Sequence, residues 1–389
     1  MRLDGVRVLD LTRLLPGPYA TQLLADAGAE VVKIEDTGAG DYARHMPPTT
    51  DRGHGAVFDA VNRGKRSVAL DLKAEGAREA FYRLAADADV VIESFRPGVA
   101  ERLGVGYEAV REHSPRIVYC SLTGYGQEGP HADRVGHDLN YVGLAGLLDM
   151  TRADPDSKPV VPGYQIGDMA GGLFAAFSVV GALLSRELGT TDGEYVDVSM
   201  TDAVASFAQS VAPEALAGAD PRPGKTPLTG AFPWYDVYET KEGEYVTLGA
   251  LEPQFWTAFC AAVDREDLIG EHMTEDPAAR EALREELEAI FAERTREEWE
   301  AELADVEAAV APVNTPAEAL SHPQIEARGL VERPADAPPR VGFPARSSAE
   351  PPNAGGDVPG HGEHTERVLR ESGVDDDELA ALRESGAIG

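Results

Sequence analysis

Positive charge is scarce in this chain. Its 389 residues hold 35 Lys and Arg against 68 Asp and Glu, a net charge of −33, and only six of the basic residues are lysine. So acidic a surface repels a phosphate backbone, which disfavours nucleic acid as a partner. The acid is dispersed, not held in a tail. With Arg favoured over Lys, it reads as a salt-adapted, halophilic surface whose self-repulsion is screened at high ionic strength. Cysteine is nearly absent: Cys120 and Cys260 stand far apart and outside any CxxC. That argues against a disulfide framework or a zinc site and fits a reducing cytoplasm. No apolar run approaches the roughly 18 charge-free residues of a membrane helix, so no span is expected. The N-terminus runs straight into a strand pattern, with no signal-peptide core. No GxGxxG follows the first strand; Leu14-Leu-Pro-Gly-Pro18 stands there instead, so a dinucleotide site has no support. A P-loop and a GxSxG elbow are missing too, which removes simple NTPase and α/β-hydrolase readings. His361-Gly-Glu-His364 lies in a Gly/Pro-rich tail and reads as a solvated loop; no metal is expected.

What is present is an alternation. Short apolar segments at 6–10, 31–34, 68–72, 90–93, 117–121 and 194–198 are interleaved with helical patterns at 19–27, 74–86, 97–103 and 107–113. This is the pattern of an α/β fold, a parallel sheet with helices on both faces. Residues 218–229 are polar and rich in Pro and Gly, and form a linker. Strand patterns at 234–239 and 244–250 and helices at 253–263 and 278–307 then make a smaller α+β domain. The expected division is 1–217, 218–229, 230–312 and a C-terminal segment, 313–389. Within that segment, 333–360 reads as a surface crossing and 376–383 as a last helix.

The chemistry falls in 119–173. His137 follows Gly136 and precedes an apolar helical pattern; Asp168 follows Gly167 and opens a longer helix ending near 188. Helix starts offer unpaired N–H groups and a positive dipole end. An Asp at such a place is most often only an N-cap. Gly171 and Gly172, however, sit in the first turn, where each weakens a helix by about 1 kcal/mol relative to Ala. They read as a sign that something approaches the backbone closely. Arg63, Lys65, Arg66, Arg96 and Arg102 follow strand-like segments, where open α/β sheets bind ligands. They mark either an anionic-ligand site or local pairing with Glu93, Asp71 and Glu101.

VRVLDLTRLLPGPYATQLLADAGAEVVKIE, NRGKRSVALDLK, SFRPGVAERLG, LTGYGQEGP and GEHTERVLRESG together resemble the family III CoA-transferase superfamily over essentially the whole chain. GHDLNY at 136–141 and GALEPQF at 249–255 look like its 2-methylacyl-CoA racemases. The resemblance implies a Rossmann-like large domain with a smaller α+β domain, an interlocked homodimer, and a C-terminal segment returning to the large domain. It implies that His137 and Asp168 form an acid/base pair, with Glu252 as acidic partner of the histidine from either subunit. The substrate is an acyl-CoA of lipid metabolism, and no cofactor beyond its CoA moiety is implied. The CoA contacts implied are Leu14, Pro16, Arg63, Lys65, Arg66, Phe95, Arg96, Arg102, Asp138 and Tyr141. Asp36 and Thr37 stand where some racemases place an arginine near the CoA phosphates, so Lys33, Arg44 or the 63–66 cluster would have to substitute. The superfamily's transferases use the aspartate as a nucleophile toward a CoA thioester, and generally lack histidine at the position of His137. A four-glycine loop of some transferases has no counterpart at 230–235. The reading is therefore racemase, with CoA transferase as the alternative. A non-catalytic acyl-CoA-binding protein is disfavoured by His137, Asp168 and Glu252 together.

Overall fold

The computed structural model describes residues 2–335, 338–348 and 356–389. The chain divides into two compact units. The first holds Met1–Leu147, Pro162–Phe207 and Gly329–Gly389; the second holds Leu148–Val161 and Ala208–Arg328. The segment expected as a linker, 218–229, lies inside the second unit, and 148–161 joins that unit too.

In the first unit β1 (Arg7–Leu11), β2 (Glu30–Glu35), β3 (Arg66–Ala69), β4 (Val90–Glu93), β5 (Val118–Thr123) and β6 (Glu194–Ser199) form one sheet, in the order β3-β2-β1-β4-β5-β6. Every pair is parallel. Side chains alternate along each strand. Leu9, Val32 and Val91 enter one core, while Val8, Val31 and Val90 enter the other. Both faces are therefore covered, as a parallel sheet requires. The helices are α1 (Pro16–Asp26), α2 (Ala56–Val61), α3 (Glu75–Ala86), α4 (Val99–Leu103), α5 (Tyr107–His113), α6 (Asp138–Leu144), α7 (Ile166–Glu187) and α8 (Met200–Ala205). The chain goes one way from β1 to β2 and β3, and the other way to β4, β5 and β6. The crevice over the C-terminal ends of β1 and β4 is thus a topological switch point.

At the start of α7 the close approach expected at Gly171 and Gly172 is present. A Cβ on Gly171 would collide with the Met200 side chain of α8, and one on Gly172 with the Pro16 carbonyl of α1. The close approach that these glycines permit is made by the chain's own helices. This helix was also passed over as an apolar run: by length and composition it could cross a membrane. Ala170, Ala175, Ala176, Val179 and Leu183 are buried on one side. Leu173, Phe177, Val180 and Leu184 stand exposed on the other, Phe177 at 71%.

The second unit carries α9 (Ala212–Leu216), then β7 (Tyr235–Glu239), β8 (Tyr245–Gly249), α10 (Pro253–Ala262), α11 (Pro277–Phe291), α12 (Arg296–Glu302) and β9 (Val310–Pro312), followed by α13 (Pro316–Ser321) and α14 (Pro323–Ala327). β7-β8-β9 is an antiparallel sheet. Trp234, Trp256 and Trp299, the chain's three tryptophans, are buried in its core. The single helix expected at 278–307 is broken by Thr295, which caps α12.

The C-terminal segment adds a short antiparallel pair, β10 (Val331–Glu332) and β11 (Arg340–Val341), then α15 (Thr365–Glu371) and α16 (Asp376–Glu384). The surface crossing expected at 333–360 falls partly outside the described residues. The His361–His364 stretch is not a free loop. His361 Nε2 lies 2.7 Å from the Asp36 carbonyl oxygen. The His364 N–H donates to the Ser67 carbonyl at 2.9 Å, and the Ala69 N–H donates to Thr365 Oγ1 at 3.0 Å. These residues cover the outer edge of β3, and Ile388 bridges to Leu70 just beyond it.

Candidate active site

α6 and α7 meet at their N-termini. His137 caps α6 with extended backbone, φ −127° and ψ 174°, and its N–H donates to Asn140 Oδ1 at 3.0 Å. Its side chain is exposed. The next residue, Asp138, turns its carboxylate onto the other helix: Oδ1 accepts from the Gly167 N–H at 2.6 Å and the Asp168 N–H at 3.1 Å. One side chain thus satisfies two orphan donors of α7 and joins the segment of His137 to that of Asp168. Tyr141 braces the junction, donating to the Gly136 carbonyl at 2.6 Å and packing edge-on against Tyr125. A Cβ at Gly124 or Gly136 would run into its ring.

Burial, followed by the charge of Asp138, pushes the Asp168 carboxyl up to about 7. A group poised there can take or give a proton at neutral pH. Replacing Asp138 by Asn keeps an oxygen to cap α7 but removes the negative charge. The expected result is that the Asp168-dependent limb of the pH–rate profile moves to lower pH; a profile unmoved in Asp138→Asn would show that the charge does not reach Asp168. Main-chain donors for an oxyanion do not come from the residue after Asp168, because the Met169 N–H donates to the Gln165 carbonyl at 3.0 Å.

The basic residues expected at the CoA divide sharply. Lys65 is buried, and its ammonium meets Asp10 Oδ2 (3.1 Å), the Pro18 carbonyl (3.0 Å), Thr21 Oγ1 (2.7 Å) and Asn62 Oδ1 (2.9 Å). Arg63 is buried against Asp26 at 2.5 Å and the Ala60 carbonyl at 2.9 Å. Arg66 pairs with Glu30 and Glu371, at 2.6 and 2.7 Å. The substitutes fare no better: Lys33 is buried on Asp41 at 3.0 Å, and Arg44 is clamped by Glu35. Each of these cations is thus held by at least one acid of the chain itself. Local pairing, the plainer reading of that cluster, is what the geometry gives.

Arg96 and Arg102 differ. Both are exposed, and neither pairs with an acid among the described residues. Arg96 stands just past β4 beside Phe95, whose N–H donates to Glu93 Oε2 at 2.6 Å, and Arg102 lies on α4. The sequence reading missed Arg13. It follows β1, has no ion pair among the described residues, and lies 5.0 Å from the Tyr42 ring centre and 5.9 Å from that of Phe95. Like Arg96, it is an arginine just past a strand in an acidic chain, and that signal was legible in the sequence. Leu14 sits beside it with a left-handed φ of 68°, its N–H held by Asp41 Oδ1 at 3.0 Å. Pro16 is buried in the first turn of α1. Glu252 belongs to the second unit, exposed at the head of α10.

A model of CoA-transferase family III matches residues 3–365. The chain belongs to that family. Among CoA-transferase family III proteins it is 37% identical to a succinyl-CoA:mesaconate CoA-transferase of Haloarcula marismortui, over 96% of this chain and 97% of that one. It is 33% identical to the human alpha-methylacyl-CoA racemase, over 98% of this chain and 96% of that one. The family fold is seen in a CAIB/BAIF protein from Brucella suis, with a TM-score of 0.83 at 31% identity, covering 95% of this chain and 99% of that chain. It is seen again in Rv3272 from Mycobacterium tuberculosis, with a TM-score of 0.79 at 32% identity, covering 93% and 97%. Transferases and racemases thus stand at similar identity, and the family's acyl-CoA chemistry is common to both.

Proposed function

We propose that this enzyme is a racemase of 2-methylacyl-CoA thioesters. One observation carries the reading: a histidine and an aspartate, the latter poised near neutrality, head two helices that Asp138 ties together. One group removes the α-proton, leaving the electron pair as an enolate. The other returns a proton to the opposite face of the same carbon. Each serves as base in one direction and acid in the other. Glu252, by resemblance, supports the imidazolium form of His137. The CoA moiety lies over the crevice, with Arg13, Arg96 and Arg102 as the cations for its phosphates and Phe95 beside them. The test is α-proton exchange without an acceptor acid, set against CoA transfer. The second reading, a CoA transferase working through a thioester on Asp168, has the support of the 37% identity to a CoA-transferase.

The same reading includes a homodimer. The bare apolar side of α7 would be costly to leave in water, at about 25 cal/mol per Å², and a second copy of the chain is its proposed cover. In an interlocked dimer neither chain leaves without unfolding. Sedimentation in detergent-free buffer should give a dimer, and dilution should never yield a folded monomer. A stable, helical monomer would remove this assembly.

A further inference from the structure

Glu93 is the last residue of β4, a central strand, and stands between Leu11 of β1 and Ser121 of β5. It is 3% exposed and has no cationic partner among the described residues. Its two oxygens have separate tasks. Oε1 accepts from the Ser121 hydroxyl, which in turn accepts from Tyr195 at 3.1 Å. Oε2 accepts from the Phe95 N–H at 2.6 Å, the first firm anchor of the turn at 94–98. That turn carries Phe95 and Arg96 at the crevice and runs into α4.

We propose that Glu93 is a positioning residue for coenzyme A: from beneath the crevice its carboxyl fixes the 94–98 turn, and thereby the places of Phe95 and Arg96, for the CoA moiety. This rests on the reading that CoA lies over the ends of β1 and β4. Glutamine could accept the same Phe95 bond without bringing a titratable group, so the acid adds a second property. The charged and titratable groups facing it are Glu101 on α4, Tyr119 and Cys120 on β5, and Tyr195 and Asp197 on β6. None is a cation. Burial, helped by Glu101 and Asp197, pushes the Glu93 carboxyl up to about 7. Below that pH it is neutral. Above it a negative charge emerges under the turn that receives a polyanion, and CoA binding weakens.

The test is calorimetric titration with free coenzyme A between pH 6 and 8.5, in an Asp168→Asn background that removes the other carboxyl titrating in this range. With Glu93 intact, Kd should rise across the interval. With Glu93→Gln that rise should be lost, leaving only the effect of the ligand's own phosphate ionisation. Glu93→Ala, which loses the acceptor, should raise Kd by about tenfold at pH 6, the loss expected of one hydrogen bond of about 1.4 kcal/mol. In the Asp168-containing enzyme it should raise KM more than it lowers kcat. If the Gln and Glu forms share one pH dependence, or if the Ala form binds CoA as tightly as the Glu form at pH 6, the assignment is overturned. Should the Ala form fail to fold, the Gln comparison decides alone. If the Glu93-containing protein binds no coenzyme A at any pH, the crevice reading falls, and this inference with it.

Discussion

In D2O the proposed racemase should incorporate deuterium at the α-carbon of a 2-methylacyl-CoA with no free acid present. The enolate takes its proton from an enzyme acid, and that acid exchanges with solvent. His137→Ala removes the only group proposed for one face, so exchange should fall on the order of 10²–10⁴-fold. A transferase behaves otherwise. It exchanges no α-proton, requires a carboxylate acceptor, and leaves a thioester on Asp168 that hydroxylamine or borohydride traps. In that reading His137→Ala costs little. A trapped Asp168 thioester in an active His137→Ala enzyme would transfer the assignment to the second reaction. His137 is exposed, so its truncation leaves the core intact and the loss reports on chemistry.

Lys65→Met should unfold the protein more than it weakens substrate binding. The ammonium sits fully buried against Asp10, whose carboxylate also meets Lys33 at 4.0 Å and the Thr12 and Thr21 hydroxyls. Burial alone would raise the Asp10 pKa; Lys33 and Lys65, with the two hydroxyls, hold it well below the usual carboxylate range. Breaking a buried ion pair by removing one partner typically costs about 3–5 kcal/mol, because the remaining charge loses its compensation. A drop in Tm of about 5 °C is expected, with KM near the parent value below that temperature. A phosphate-binding lysine would show the reverse: unchanged Tm and a raised KM.

This contrast shows what the sequence could and could not reveal. The alternation of strand and helix was legible because short runs such as Val90–Glu93 carry only buried side chains. His137 and Asp168 were legible as helix starts beside glycines, though α7 begins two residues earlier, at Ile166. The partners of buried charge were not. Lys65 binds Asp10, 55 residues away, and Arg44 reaches the Pro359 carbonyl 315 residues on. Nothing local marks such pairs, so a basic cluster in an acidic chain reads like a ligand site. What crowds Gly171 and Gly172 was hidden for the same reason: the atoms belong to α1 and α8. The 148–161 segment has no pattern of its own and joins the second unit through contacts that only the fold provides, such as Asp149 with Arg222 at 3.3 Å.

The cover over the edge of β3 has a consequence for synthesis. Ser67 and its partner His364 are 297 residues apart. At a translation rate of about 5–20 residues per second, that separation is roughly 15–60 seconds. Throughout that interval the nascent sheet has an open flank, with N–H and C=O groups able to template pairing with another chain. Residues of the 361–388 stretch, made long after β3, close it. A polypeptide released before His364 keeps that flank open for its whole lifetime.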